Sequence, residues 1–307
     1  VCKEIRQKLR SPSSRNLIKP TFLNNSMEKA LVLYSGGLDS RLVVCLLQEQ
    51  GYDVEALYFA LPFGCGCCNI NCNFNFTQKE KTKLTIFNVT KEPLLSEYLD
   101  ILKKPKHETG SGINPCKDCK IFMFKKAKEY ADKNKIKVIA TGEVLGQRPM
   151  SQTSKAMRTI DEEIGFQIKR PLMEIGIKGR GRKRQMELAE KFKIKYPTPG
   201  GGCFLCEKDP SARLKKLLDK NLINEKTLPL TMIGRHFFIE DTWLIVARNE
   251  LESNIITKFK TSIPDEKGKP SIYYSNNKQK QKALDIQEAY STGDNEDKRK
   301  TFSKFKI

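Results

Sequence analysis

The sequence predicts an α/β fold, a parallel sheet flanked by helices, followed by a small C-terminal α+β domain. Three observations carry this. Short apolar runs alternate with segments of helical spacing from Met27 to about Cys206, a glycine-containing turn joins the first run to the first helix, and the composition changes after about Asp209.

Lys29 to Tyr34 is a short buried strand by its continuous apolar character, and Arg41 to Gln50 keeps helical spacing until Gly51 stops it. Val54 to Ala60 and Leu84 to Val89 read as the next strands, followed by a helix near Glu92 to Leu102. Lys117 to Asn134 reads as a long helix, Lys137 to Thr141 as a further buried strand and Lys183 to Phe192 as another helix. This βαβα order implies ligands at the strand C-terminal ends, where Ser35, the loop after Phe59 and Gly142 converge. Ala212 to Leu218 reads as a linking helix, and Thr231 to Ile239 with Thr242 to Ala247 as a hairpin around Glu240-Asp241. Ser271 to Tyr274 and Lys282 to Tyr290 supply a last strand and helix. The expected division is a basic, disordered extension over residues 1–26, a nucleotide-binding catalytic domain over 27–208, a linker over 209–227 and an α+β domain over 228–307. The extension also fits an organelle-targeting presequence.

With 307 residues, 38% of them hydrophobic, the chain has enough apolar surface for a core, and no run approaches the ~18 residues of a membrane span. A formal charge of +20 at pH 7 suggests a polyanionic partner. The ten cysteines cluster in close pairs, unlike the framework of a small secreted domain, and suggest a cytoplasmic enzyme with metal or sulfur chemistry.

The turn "YSGGLDS" carries the first chemistry. Gly36 and Gly37 let an anion approach the free amides at a helix start, Ser35 and Ser40 add hydroxyl donors, and Asp39 beside phosphates implies Mg2+ between them. No lysine stands where a Walker A loop would place one, and Arg41 does not replace it by spacing. In "NPCKDC", Asn114 reads as a helix N-cap, Pro115 as the first helical residue and Cys116 as a first-turn thiol that the helix dipole would ionise, with Cys119 on the same face. "GGGCFLC" places Cys203 and Cys206 after a Pro-Gly-rich loop. The two C-x-x-C pairs allow structural zinc on Cys116, Cys119, Cys203 and Cys206, or reactive thiols facing the nucleotide edge. Cys65, Cys67, Cys68 and Cys72 in "CGCCNINC" read as a separate zinc site, a cluster ligand or a thiol-rich loop. Cys45 reads as core, and His107 and His236 as surface residues. Lys178, Arg180, Arg182, Lys183 and Arg184 form a basic turn suited to RNA phosphates, and Arg148 reaches either ATP phosphates or RNA.

Ser35-Gly36-Gly37-Leu38-Asp39-Ser40 matches S-G-G-x-D-S in full and so resembles the PP-loop, or adenine nucleotide alpha hydrolase-like, pyrophosphatase family. The resemblance implies a loop that holds the pyrophosphate of ATP, with Gly142 at the same edge, while a substrate oxygen attacks the α-phosphate. "SGGLDS", "NPCKDC", "ATGEVLGQR" and "GGCFLC" stand in the order of that family's tRNA 2-thiouridylase branch, over about Met27 to Cys206. The likeness implies that Cys116 and Cys203 are the reactive pair. It also places Thr141-Gly142-Glu143-Val144 where T-G-H-Y is usual, so the histidine is absent. Cys119 and Cys206 are extra, and related sulfur-transfer enzymes suggest a 4Fe-4S cluster on three cysteines. "GRHFFIEDTWLIVARNELESN" looks like the strand pair of an appended RNA-binding module. The implied function is ATP-dependent thiolation of a tRNA uridine, with sulfide or a persulfide carrier protein as donor. An amidating ligase with structural zinc and a non-enzymatic RNA-binding protein are the alternatives.

Overall fold

The computed structural model describes residues 27–64, 70–198 and 203–307, excepting the side chains at 70–72 and 74. The readings of residues 1–26, of Cys65, Cys67 and Cys68, and of the loop before Cys203 fall outside these residues. Cys72 lies in a helix, with its thiol among the excepted side chains.

Strand β1 (Lys29–Leu33) turns Ala30 and Val32 to one face and Leu31 to the other, and all three are fully buried. Helix α1 (Leu38–Glu49), β2 (Asp53–Ala60), α2 (Ile70–Lys79), β3 (Lys83–Asn88), α3 (Leu94–Lys103), α4 (Cys116–Lys133) and β4 (Val138–Thr141) follow. The sheet order is β3-β2-β1-β4 with every pair parallel. The chain therefore steps outward from β1 to β3 and crosses back to set β4 on the other side of β1. The helices that follow β1 and β4 go to opposite faces of the sheet, which makes this the switch point at which open α/β sheets bind their ligands.

Beyond β4 come α5 (Ser154–Ile164), α6 (Pro171–Glu174), α7 (Lys183–Lys191) and α8 (Lys208–Asp219). Leu42 and Val43 of α1 and Ala189 of α7 cover the Ala30 face, whereas Tyr98, Phe124 and Ile160 cover the Leu31 face. The expected strands and helices of this region fall where the apolar runs place them. The helical spacing passed over α5, although Thr153 caps it by accepting from the Ala156 amide at 3.2 Å and Gly165 ends it with φ +71°.

The C-terminal part holds β5 (Arg235–Ile239), β6 (Thr242–Val246), α9 (Glu250–Ile256), β7 (Ser262–Ile263), β8 (Ile272–Tyr274), α10 (Lys280–Ala289) and α11 (Glu296–Ser303). Its antiparallel sheet runs β5-β6-β8-β7. Phe237, Leu244 and Ile272 pack on Ala283 and Ile286 of α10, and Phe238, Trp243 and Ile245 join the core of the parallel sheet through Leu214 and Leu217 of α8. The hairpin begins at Arg235 and not at Thr231. Leu228–Met232 forms a 3-10 turn, and Gly234 takes φ +76° where a Cβ would stand 2.8 Å from the Val246 carbonyl oxygen.

His236 is a core residue, contrary to the surface reading. Its ring is 1% exposed, stacks on Trp243, and accepts the Trp243 Nε1 proton on Nδ1 at 3.0 Å. Burial, reinforced by the Arg213 charge, holds the imidazole neutral and lowers its pKa from 6.5 to about 3. The unfolded chain binds this proton first, so stability is full above about pH 6.5 and drains as the pH falls toward 3. Urea unfolding across that range is expected to lose up to about 1.4 kcal/mol per pH unit from this group. In His236→Asn that part of the slope disappears.

Candidate active site

The turn after β1 is built to meet an anion. Gly36 takes φ +81°, and Gly37 ends the turn as the N-cap of α1. No side chain caps that helix, which leaves its first-turn amides to a ligand. Ser40 Oγ donates to the Gly37 carbonyl at 2.9 Å, and Ser35 Oγ lies 3.4 Å from Ser40 Oγ. Arg41 does not reach for phosphate. It is buried, its Nε donates to the Gly36 carbonyl at 2.7 Å, one Nη donates to the Lys195 carbonyl at 2.7 Å, and the guanidinium sits 4.8 Å from the centre of the Phe76 ring. It braces the loop from behind. A single cation within the apolar stretch from Leu38 to Leu47 was the readable sign of such a brace.

Asp39 accepts from Gln147 Nε2 on Oδ2 at 3.0 Å, while Oδ1 is buried with no hydrogen-bond partner. A buried carboxylate oxygen left unpaired is costly. Such a group suits a divalent cation, so Asp39 fits the Mg2+ that the loop chemistry implies. Gly142, at the end of β4, lies against the same turn. A Cβ there would stand 2.8 Å from both the Asp39 carbonyl carbon and the Ser40 amide nitrogen.

Glu143 follows, 2% exposed, paired with Lys120 of α4 and with Arg170 Nε at 3.1 Å. Arg170 also forks onto Asp161 of α5 at 3.0 and 2.6 Å. Burial pushes the Glu143 carboxyl up, but the Lys120 and Arg170 cations outweigh it and the pKa ends below 4.5. A charge network therefore stands where the resemblance led to a histidine. Beyond it, the Gly179 amide donates to the Leu145 carbonyl at 2.7 Å, which sets the basic turn beside this segment. Lys178, Arg180, Lys183 and Arg184 of that turn are exposed and Arg182 is half-buried. A cleft of about 480 Å³, lined among others by Leu145, Ser154, Met157, Asp161 and Arg170, opens alongside.

The four thiols of the two C-x-x-C pairs gather at this edge. Cys116 is the first residue of α4, but the N-cap is Pro115, and Asn114 caps nothing. Its Nδ2 instead donates to Cys206 Sγ at 2.7 Å and lies 3.6 Å from Cys116 Sγ. Cys119 Sγ is 3.7 Å from the Tyr98 hydroxyl, and Cys203 donates to the Phe63 carbonyl at 2.9 Å, so the loop after β2 also reaches the cluster. Cys116, Cys119 and Cys203 rest protonated. Burial raises Cys119 to about 12 and Cys203 to about 11. Cys116 is also raised, by burial and then by Cys206, against the Arg148 and Lys120 charges. Burial thus outweighs the helix terminus that was expected to ionise Cys116. Among the described residues no three His, Cys, Asp or Glu side chains stand in a metal-holding arrangement. Cys45 is buried among the apolar residues of α1.

The sequence reading misassigned Asn114 as a cap and missed Lys120, Gln147 and Arg170, polar residues whose partners Cys206, Glu143 and Asp39 lie on other elements. Replacing Glu143 by Gln leaves Lys120 and Arg170 facing a neutral amide. The expected cost is about 3–5 kcal/mol in urea unfolding. The wild-type contribution is present above pH 4.5 and lost as the pH falls through the depressed folded value, so the variant is expected to lack that component of acid sensitivity.

Residues 25–216 match the family model described as thiamine biosynthesis protein (ThiI). The chain is 29% identical over 174 residues to the probable tRNA sulfurtransferase of Thermoanaerobacter sp. (strain X514), covering 53% of this chain and 40% of that one. It is 27% identical over 237 residues to the tRNA-specific 2-thiouridylase MnmA of Pseudomonas fluorescens (strain Pf0-1), covering 71% and 63%. A solved 4-thiouridine synthetase in complex with RNA and bound ATP aligns with a TM-score of 0.43 at 22% identity, over 66% of this chain and 52% of the other. The chain thus spans about two fifths of the length of the first sulfurtransferase relative. With the family match extending over well more than half of its residues, the chain belongs to the ThiI family.

Proposed function

We propose that the chain is an ATP-dependent tRNA sulfurtransferase, which adenylates a uridine carbonyl oxygen and replaces it with sulfur. The observation that carries this is the reach of one segment. Gly142 packs on Asp39 and Ser40, Gln147 binds Asp39, Glu143 binds Lys120 of the thiol helix, and the Arg148 charge acts on Cys116. One short stretch of chain therefore bridges the anion-binding turn and the cysteines. The match to tRNA-modifying relatives supports the same reading.

A uridine carbonyl oxygen is a poor leaving group, and adenylation converts it into AMP. The amides and hydroxyls from Ser35 to Ser40 hold the pyrophosphate of ATP, so charge building on the leaving group meets donors already in place. Asp39 would hold Mg2+ on Oδ1, and the ion would offset phosphate charge. Cys116 then carries the sulfur, with a second cysteine of the cluster completing the exchange. A persulfide carrier protein supplies it in the reducing cytoplasm, passing its outer sulfur to the Cys116 thiolate and leaving as a thiol, whereas sulfide would attack the adenylated carbon directly and displace AMP. Among the described residues no helix is long and apolar enough to cross a membrane. The basic turn from Lys178 to Arg184 and the C-terminal antiparallel sheet take the tRNA.

Thionucleoside analysis of tRNA incubated with the protein, ATP and sulfide is expected to show thiouridine, with AMP and pyrophosphate released in step. Asp39→Asn is expected to lower AMP release by about 10²-fold or more, as for removal of a group that stabilises transition-state charge. Ammonia-dependent AMP release by a zinc-loaded protein, without thiouridine, would replace this reading by the amidating ligase.

A further inference from the structure

We propose that Cys206 is the resolving thiol of Cys116, and that Asn114 is the positioning residue that holds their two sulfurs together. The proposal rests on the sulfur-transfer reading above and changes its second cysteine. Sequence resemblance paired Cys116 with Cys203, but Cys203 turns its proton to the Phe63 carbonyl at 2.9 Å. Cys206 shares a donor with Cys116, with Asn114 Nδ2 at 2.7 Å from one sulfur and 3.6 Å from the other. The two sulfurs are therefore no farther apart than those distances taken together.

The backbone around Asn114 is built to keep it there. Gly110 backs the amide, because a Cβ at that position would stand 2.6 Å from Asn114 Oδ1 and 3.1 Å from Nδ2. Gly112, at φ +72°, lets the loop lie on the cysteine turn, where a Cβ would come within 2.4 Å of the Leu205 carbonyl oxygen. Across this contact the Ile113 amide donates to the Leu205 carbonyl at 3.1 Å, and Ser111 Oγ to the Cys206 carbonyl at 3.4 Å. Ser211 Oγ donates to the Leu205 carbonyl at 3.0 Å. The loop before α4 is thus laced to the turn that carries Cys206, and the Asn114 amide is the side chain that closes on the sulfurs.

In the reaction, the outer sulfur of a Cys116 persulfide bonds to the activated uridine carbon, and AMP leaves with the carbon–oxygen electron pair. Cys206 loses its proton to water and attacks Cys116 Sγ. The persulfide S–S bond breaks, its electron pair stays on the sulfur now held by the base, and a Cys116–Cys206 disulfide forms. A small dithiol reductant returns both thiols for the next turnover.

The test uses the full chain and needs no tRNA. Reduced protein is oxidised with diamide, digested with trypsin and chymotrypsin, and mapped by mass spectrometry. Cleavage at Lys117 separates Cys116 from Cys119, and cleavage at Phe204 separates Cys203 from Cys206. The expected main partner of Cys116 is Cys206. Asn114→Leu, and the near-isosteric Asn114→Asp that lacks the N–H donors, are both expected to slow this cross-link at least ten-fold, as is Gly110→Ala. Cys203 or Cys119 as the main partner in the wild type, or no Cys116 disulfide at all, overturns the pairing, and this map stands even where a variant does not fold. A folded Asn114→Asp protein that cross-links at the wild-type rate overturns the positioning role. Absence of thiouridine from the tRNA assay, with the Cys116–Cys206 cross-link intact, overturns the proposed activity and leaves the pairing in place.

Discussion

The site depends on a backbone approach that only glycine permits. Where β4 ends, Gly142 lies so close to the first turn of α1 that any side chain there would enter the Asp39 and Ser40 backbone. Protein interiors resist such overlap, and the price of a misplaced methyl group is a shift of backbone. Because β1 and β4 are neighbours at the switch point of the sheet, this contact fixes the anion-binding turn against the segment that leaves β4. Gln147, Glu143 and Arg148 then fall within reach of their partners. The Asp39 carboxylate and the thiol helix are brought to one edge by the same few residues.

Charge organises what the backbone brings together. The Glu143 carboxylate is nearly inaccessible to water and survives as an anion because Lys120 and Arg170 flank it. A buried pair of this kind adds little net stability against an apolar replacement, yet it specifies one arrangement of α4, α5 and β4. The cysteines experience the opposite regime. Burial raises Cys116, Cys119 and Cys203, so they rest as thiols, and the Lys120 and Arg148 cations pull Cys116 back toward ionisation. Thiols held protonated in this way are weak nucleophiles and slow to oxidise.

The residues that could be placed from the sequence were those whose role is local. The glycines and hydroxyls of "SGGLDS" announce their chemistry because a strand, a tight turn and a helix start are contiguous in the chain, and the structure keeps them so. Asn114 shows the limit of the same logic. As an isolated peptide feature it is a good cap, but Cys206 of the facing turn and Cys116 of α4 each offer its amide a sulfur, and Pro115 takes the cap position. His236 fails for a related reason. Its neighbours in sequence do not reveal that Trp243, across the hairpin, supplies the one donor that makes a buried neutral imidazole acceptable.

Taken alone, then, the sequence determined the α/β class, a parallel sheet, the anion-binding turn and the presence of two thiol pairs, because periodicity and turn chemistry are read over a few residues. Tertiary structure decided which thiols share a donor, which cation braces the loop and which carboxylate keeps a free oxygen. Those choices rest on hydrogen bonds between residues as distant as Asn114 and Cys206, or Arg41 and Lys195. Such bonds exist only once burial has removed the competing water, and no local spacing encodes them.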